Sequence, residues 1–155
     1  MNKKHFYNLT VKWTGNIGTG TKDYRGYERS HKVTIKNKAD LVCSSDPAFQ
    51  GDKAKHNPEE LFLASISTCH MLWYLHLCSD AGVVVTDYTD NATGTMQEVE
   101  QGGGYFTEVT LNPIVVVTDK SMFEKAIELH HKANKLCFIA NSCNFPIHHK
   151  PIAMV

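Results

Sequence analysis

The stretch NPEELFLASISTCHMLWYLHLCSDAG, residues 57–82, decides the architecture. Asn57 is a good N-cap, and Pro58 suits the first helical position, where a missing N–H costs nothing. Glu59 and Glu60 stand in the first turn, where the helix dipole favours carboxylates. Gly82 supplies the stop, so the pattern predicts one helix from Pro58 to about Asp80. Between Leu61 and Cys78 apolar side chains occupy nearly every face, leaving a thin polar stripe through Ser65, Thr68, His76 and Ser79. A helix apolar all round is buried all round. One sheet and one further helix cover only part of it, so the pattern points to a homodimer with this helix in a shared core. The Leu61–Cys78 window, with two Ser, one Thr and two His, reads as too short and too polar to span a membrane.

Upstream, strand-like runs cover residues 6–13, 28–36 and 40–44, with Gly15, Gly18 and Gly20 marking the first turn. Downstream, two long strands over 83–96 and 105–117 flank Gly102, Gly103 and Gly104 and predict an extended hairpin. Ser121 and Glu124 have the spacing of a capping box that opens a second helix ending near Lys135. That helix carries Phe123, Ile127, His130 and Leu136 at near-helical spacing. A strand over 145–155 closes the chain. The order βββ-α-ββ-α-β, with no alternation of strands and helices, predicts an α+β fold with an antiparallel sheet in a single domain over residues 1–155.

The 155 residues are 42% hydrophobic and 21% charged, enough for a real core and against a disordered or disulfide-stapled chain. Sixteen Lys and Arg balance sixteen Asp and Glu, so nucleic acid is not an expected partner. The start, MNKKHFYNLTVKW, has no apolar run after its lysines and reads as a strand rather than a signal peptide. Five cysteines without a CxxC pair read as reduced thiols, and the expected location is the cytoplasm. Nine histidines raise the question of a metal, but no ligand pair has the short fixed spacing of a zinc site, so no metal or cofactor is expected.

Phe62, Ile66, Cys69 and Trp73 fall on one stripe of the first helix, so Cys69 looks out from an aromatic, apolar surface. Cys78 lies nine residues later, about 13.5 Å along the axis, too far for a disulfide within the helix. Cys43 carries no signal beyond packing. Cys137, after the last turn of the second helix, and Cys143, in the loop beyond, are both possible partners for Cys69, and spacing does not choose between them.

The run from His56 through Asn57-Pro58-Glu59-Glu60-Leu61 to Cys69-His70 resembles the cysteine helix of the OsmC/Ohr superfamily (osmotically inducible protein C and organic hydroperoxide resistance). The segment Ala133-Asn-Lys-Leu-Cys137-Phe-Ile-Ala-Asn-Ser resembles the family's second-cysteine segment. The resemblance implies an intertwined homodimer with a long buried central helix and a thiol peroxidase reducing organic hydroperoxides. It assigns Cys69 as the peroxide-reactive thiol, passing through a sulfenic acid, and Cys137 as the partner in a disulfide re-reduced by a dithiol of the lipoyl type. The family activates its thiol with an arginine oriented by the motif glutamate, here Glu59. Glu59 lies about 15 Å along the axis from Cys69, so it would serve the thiol across a dimer. Arg25 and Arg29 are the only arginines, and neither sits in the family's usual arginine positions. Arg25, just past the first glycine-rich turn, is the first candidate. The second motif also lacks the family's frequent Cys-Pro, which suggests a separate subgroup. The alternative is a non-enzymatic small-molecule binding dimer with vestigial thiols.

Overall fold

In the computed structural model, which describes residues 3–155, the chain opens on three short strands: β1 (Thr10–Trp13), β2 (His31–Thr34) and β3 (Leu41–Cys43). They pair antiparallel in the order β1-β2-β3. The first two are shorter than the sequence predicts. Backbone bonds carry the pairing slightly further, from Thr14 to Ser30 at 2.8 Å and from Glu28 to Gly15 at 2.9 Å. There the Trp13 indole also donates to the Glu28 carbonyl at 2.8 Å, and residues 16–27 form a long folded loop. Residues 3–9 pair with no strand. Beyond β3 the Ser44 amide donates to the His56 carbonyl at 2.9 Å, and Cys43 bridges His56, which places the helix start beside this sheet. These residues and the first turn of the helix form one compact unit, and Phe62–Val155 forms a second.

The helix α1 (Pro58–Asp80) has the predicted bounds. Its start is tighter than expected, because Asn57 Oδ1 accepts from the Glu60 amide at 2.8 Å while Glu60 accepts from the Asn57 amide at 3.2 Å. That reciprocal pair is a capping box, and it leaves Glu59 free of capping duty. At the other end Gly82 takes φ +71°, a left-handed conformation that suits glycine, and the Val83 amide closes onto the Cys78 carbonyl at 2.9 Å. By length and composition alone, these 23 residues suffice to cross a membrane, which corrects the expectation drawn from the shorter window. The fold instead uses one face of the helix in a protein core, burying Ile66, His70, Tyr74, Leu77 and Cys78. Burial within the chain is not all round: Leu72 is 63% exposed.

In the second unit the two long strands each break in two, giving β4 (Val85–Asp90), β5 (Thr93–Glu98), β6 (Gly104–Leu111) and β7 (Pro113–Val117). β5 pairs β6 and β4 pairs β7, both antiparallel, so the hairpin stands but is split between two sheets. The break is held by Asp90, which accepts from the Asn112 amide at 2.7 Å and from the Ser67 hydroxyl at 2.5 Å. Gly102 and Gly103, at φ +87° and +84°, make the tip.

The expected capping box at Ser121 does not form. Asp119 instead accepts from the Ser121 amide at 2.7 Å and caps a short 3-10 turn, and the helix α2 (Phe123–Leu136) follows it. Its buried positions are Ala126, Leu129, His130 and Ala133, with Leu136 turned outward. The closing segment also splits, into β8 (Ile147–His149) and β9 (Ile152–Met154). They join β6 and β7 in parallel, so the sheets are mixed rather than wholly antiparallel. A chain returning from α2 reaches the free edges of β6 and β7 by a crossover, and crossovers deliver parallel strands. The fold is α+β, with α1 packed through Tyr74, Leu77 and Cys78 on Val115 and Val117 of β7 and on Ala126, Leu129 and Ala133 of α2.

Candidate active site

Cys69 lies midway along α1 and is partly exposed, while Cys137 caps the C-terminus of α2 and is fully buried. The Cys137 amide closes the last turn onto the Ala133 carbonyl at 2.9 Å, and its own backbone turns extended. This exit continues the buried stripe of α2 and aims the Cys137 thiol at α1. The two thiols are close neighbours, near enough for Cys69 to perturb Cys137. Burial, followed by the neighbouring Cys69 thiol, pushes the Cys137 thiol up to about 12, so at neutral pH it keeps its proton. The Ala140 amide also reaches the Cys137 sulfur, at 3.4 Å. Of the two partners that spacing left open, the structure puts Cys137 beside Cys69. The Cys143 thiol bonds the Ile139 carbonyl at 3.3 Å and packs against the cluster of Ile66, Val109 and Leu111.

The neighbourhood along the α1 stripe is aromatic. Trp73, one turn beyond Cys69, meets Phe138 edge-on with ring centres 5.6 Å apart. Phe62, two turns before Cys69, packs against Phe106 and Phe145 at 5.2 and 6.0 Å. Phe138 is 69% exposed and gives this surface an open apolar rim.

The expected activating groups lie in the first unit. The Arg25 side chain is exposed and has no hydrogen-bond or ion-pair partner among the described residues. Arg29 is committed elsewhere: its guanidinium donates to the carbonyls of Tyr24 and Tyr27, both at 2.6 Å, and lies over both their rings. Glu59 is half-buried, and its Oε2 is buried without a hydrogen-bond partner among the described residues. Within one chain Glu59 and Arg25 are not paired.

No group of three or more His, Cys, Asp or Glu among the described residues has the geometry to hold a metal ion. The structure does bring together histidines that the sequence reading left unassigned. His70 Nε2 and His130 Nδ1 are 2.9 Å apart in the core. The only signal for them was a histidine on the buried stripe of each helix.

The family model described as OsmC-like protein matches residues 50–151, a span that includes both thiols. An OsmC-like protein of unknown function from Vibrio cholerae superposes with a TM-score of 0.87 at 29% identity, covering 96% of this chain and all of that one. An organic hydroperoxide resistance protein from Elizabethkingia anophelis superposes at 0.67 with 21% identity, covering 97% of this chain and 98% of that one. Another such protein, from Bacillus subtilis, superposes at 0.62 with 18% identity and the same coverage of both chains. No curated protein matches the chain. The whole-length likeness in fold, with the family model covering both cysteine motifs, places this chain in the OsmC-like family of the OsmC/Ohr superfamily.

Proposed function

We propose that this protein is a thiol peroxidase that reduces organic hydroperoxides with Cys69 and resolves the product with Cys137. The observation that carries the reading is the juxtaposition of one partly exposed thiol and one buried, protonated thiol. Membership in a family with hydroperoxide-resistance proteins among its structural neighbours supports it. The Cys69 thiolate attacks the distal peroxide oxygen. The S–O bond forms as the O–O bond breaks, and the alkoxide leaves with a proton as the alcohol. Cys69 is then a sulfenic acid. The Cys137 sulfur attacks it, the S–S bond forms, and the departing hydroxide takes the Cys137 proton and leaves as water. A dithiol of the lipoyl type then gives two electrons and two protons, restoring both thiols and closing its own disulfide.

The division of labour follows from burial. Cys69 meets the peroxide, and Cys137 is kept from it until the sulfenic acid forms beside it. The aromatic rim around Trp73 and Phe138 suits a substrate with an organic tail. Arg25 is the cation we assign to hold Cys69 as thiolate, with Glu59 as its orienting carboxylate. Since they are unpaired within one chain, the complete site belongs to a homodimer. The setting is the cytoplasm, whose reductants keep such thiols reduced.

The test is peroxide-dependent oxidation of dihydrolipoamide by the purified protein. Consumption of the dithiol with tert-butyl or cumene hydroperoxide, lost in Cys69→Ser, supports the enzyme. No consumption across a panel of peroxides points to a binding protein whose thiols do no chemistry.

A further inference from the structure

The second unit holds a buried polar cluster that the peroxidase reading does not use. His70 follows Cys69 on α1, and His130 precedes Cys137 by two turns on α2; they are 1% and 0% exposed. Their 2.9 Å Nε2–Nδ1 contact is a hydrogen bond only while a single proton sits between the two rings. The rings lie 9° from parallel, and Tyr74 stacks on His130 at 3.8 Å. His149 of β8 meets His70 edge-on, His131 meets His149, and Tyr88 of β4 approaches His130 at 6.4 Å. No carboxylate or fixed cation contacts the pair among the described residues; the titratable groups facing it are these histidines and tyrosines. The arrangement is costly, because His70 Nδ1 and His130 Nε2 are buried without partners. An apolar pair would avoid that cost but would let the two helices slide, whereas an N–H···N bond has one geometry.

Burial, together with the neighbouring histidines, lowers His70 to about 4 and His130 to about 3, so the pair is uncharged at neutral pH and does not act as a switch there. Its position suggests a fixed role. One rigid helix carries His70 and Cys69, and the other carries His130 and Cys137, about 10.5 Å apart along its axis. Any change in helix register at the histidines is carried to the thiols.

We propose that the His70–His130 hydrogen bond is a positioning clasp that holds α1 and α2 in the register bringing Cys137 onto Cys69, and so sets the rate and equilibrium of disulfide formation. This rests on the disulfide reading above. His70 and His130 are positioning residues and touch neither peroxide nor sulfur.

The test separates the two thiol steps in the full-length protein. The Cys69–Cys137 disulfide is equilibrated against a dithiothreitol redox buffer and quantified by mass spectrometry. The first step is followed separately, as sulfenic acid formation in a Cys137→Ser background. His130→Phe keeps a ring against Tyr74 and removes the nitrogen. It should lower the effective concentration of Cys137 at Cys69 by roughly tenfold or more and leave the first step unchanged. His70→Gln keeps a donor near the Nε2 position and should stay within about twofold of wild type. If His130→Phe does not fold, His70→Leu against His70→Gln makes the same comparison, with the loss expected only in the leucine variant. Equal disulfide equilibria with and without the hydrogen bond, in folded proteins, overturn the clasp alone. A wild-type protein that forms no Cys69–Cys137 disulfide overturns the disulfide reading and the clasp with it.

Discussion

Cys69 is partly exposed and Cys137 fully buried, and the roles proposed for them rest on that difference. Replacing Cys69 with Ser should abolish peroxide-dependent dithiol oxidation. Replacing Cys137 with Ser should leave the first turnover intact and trap the sulfenic acid, visible as a dimedone adduct on Cys69. Cys143→Ser should change neither, since that thiol is bonded to Ile139. For the cation proposed to activate Cys69, Arg25→Ala should slow both alkylation of Cys69 and peroxide reduction, roughly tenfold, a loss of about 1.4 kcal/mol. Arg25→Lys should do nearly as badly for want of the planar fork, and Glu59→Gln should lose less. Arg29→Ala should instead loosen the loop it pins between Tyr24 and Tyr27, costing about 1–2 kcal/mol of stability with thiol reactivity kept. An unchanged alkylation profile in Arg25→Ala with a shifted one in Arg29→Ala reverses that assignment. Helical spacing made the apolar setting of Cys69 legible in the sequence, but only the fold sets Cys137 rather than Cys143 beside it. What the exposed Arg25 side chain meets was not legible, because nothing local to it says so.

The helix bounds of α1 were legible for the same local reason: cap, first-turn carboxylates and a left-handed glycine lie in one stretch. The strand breaks were not. Residues 83–96 keep a strand-like pattern, and what divides them is Asp90 bonding Asn112 and Ser67, each more than twenty residues away. The cap of α2 was misread because Asp119 reaches the Ser121 amide before Ser121 can serve Glu124. The parallel pairing of β8 and β9 likewise depends on which sheet edges remain free. The buried histidines carry a further consequence for the pair of helices. Both are held below their ordinary value near 6.5, so the unfolded chain takes up their protons first as pH falls. Their contribution to stability is fully present above about 6.5 and is lost progressively as the pH falls towards about 4 and about 3. Thermal melts should therefore drop steeply across that window. In a folded His130→Phe variant the drop should be shallower, and an equal slope in both proteins counts against the histidines as its source.

At the scale of the molecule, much apolar surface in a single chain lacks cover. Leu72 on α1 is 63% exposed, and in the first unit Val11 and Val42 are 60% and 48% exposed. A helix with apolar residues on most faces and one buried stripe fits a second copy as the missing cover, and patches of this kind mark association surfaces. The protein should sediment as a dimer at micromolar concentration, and Leu72→Lys should shift it toward monomer and lower peroxidase activity with it. A wild-type monomer that is fully active removes the case for a shared site. The pairing of the two thiols is open to one direct measurement. The reduced protein is treated with one equivalent of organic hydroperoxide, alkylated, digested and mapped by mass spectrometry. The expected product is one Cys69–Cys137 disulfide within each chain, with Cys43, Cys78 and Cys143 alkylated. A Cys69–Cys143 link, or a Cys69 that stays reduced, contradicts that pairing.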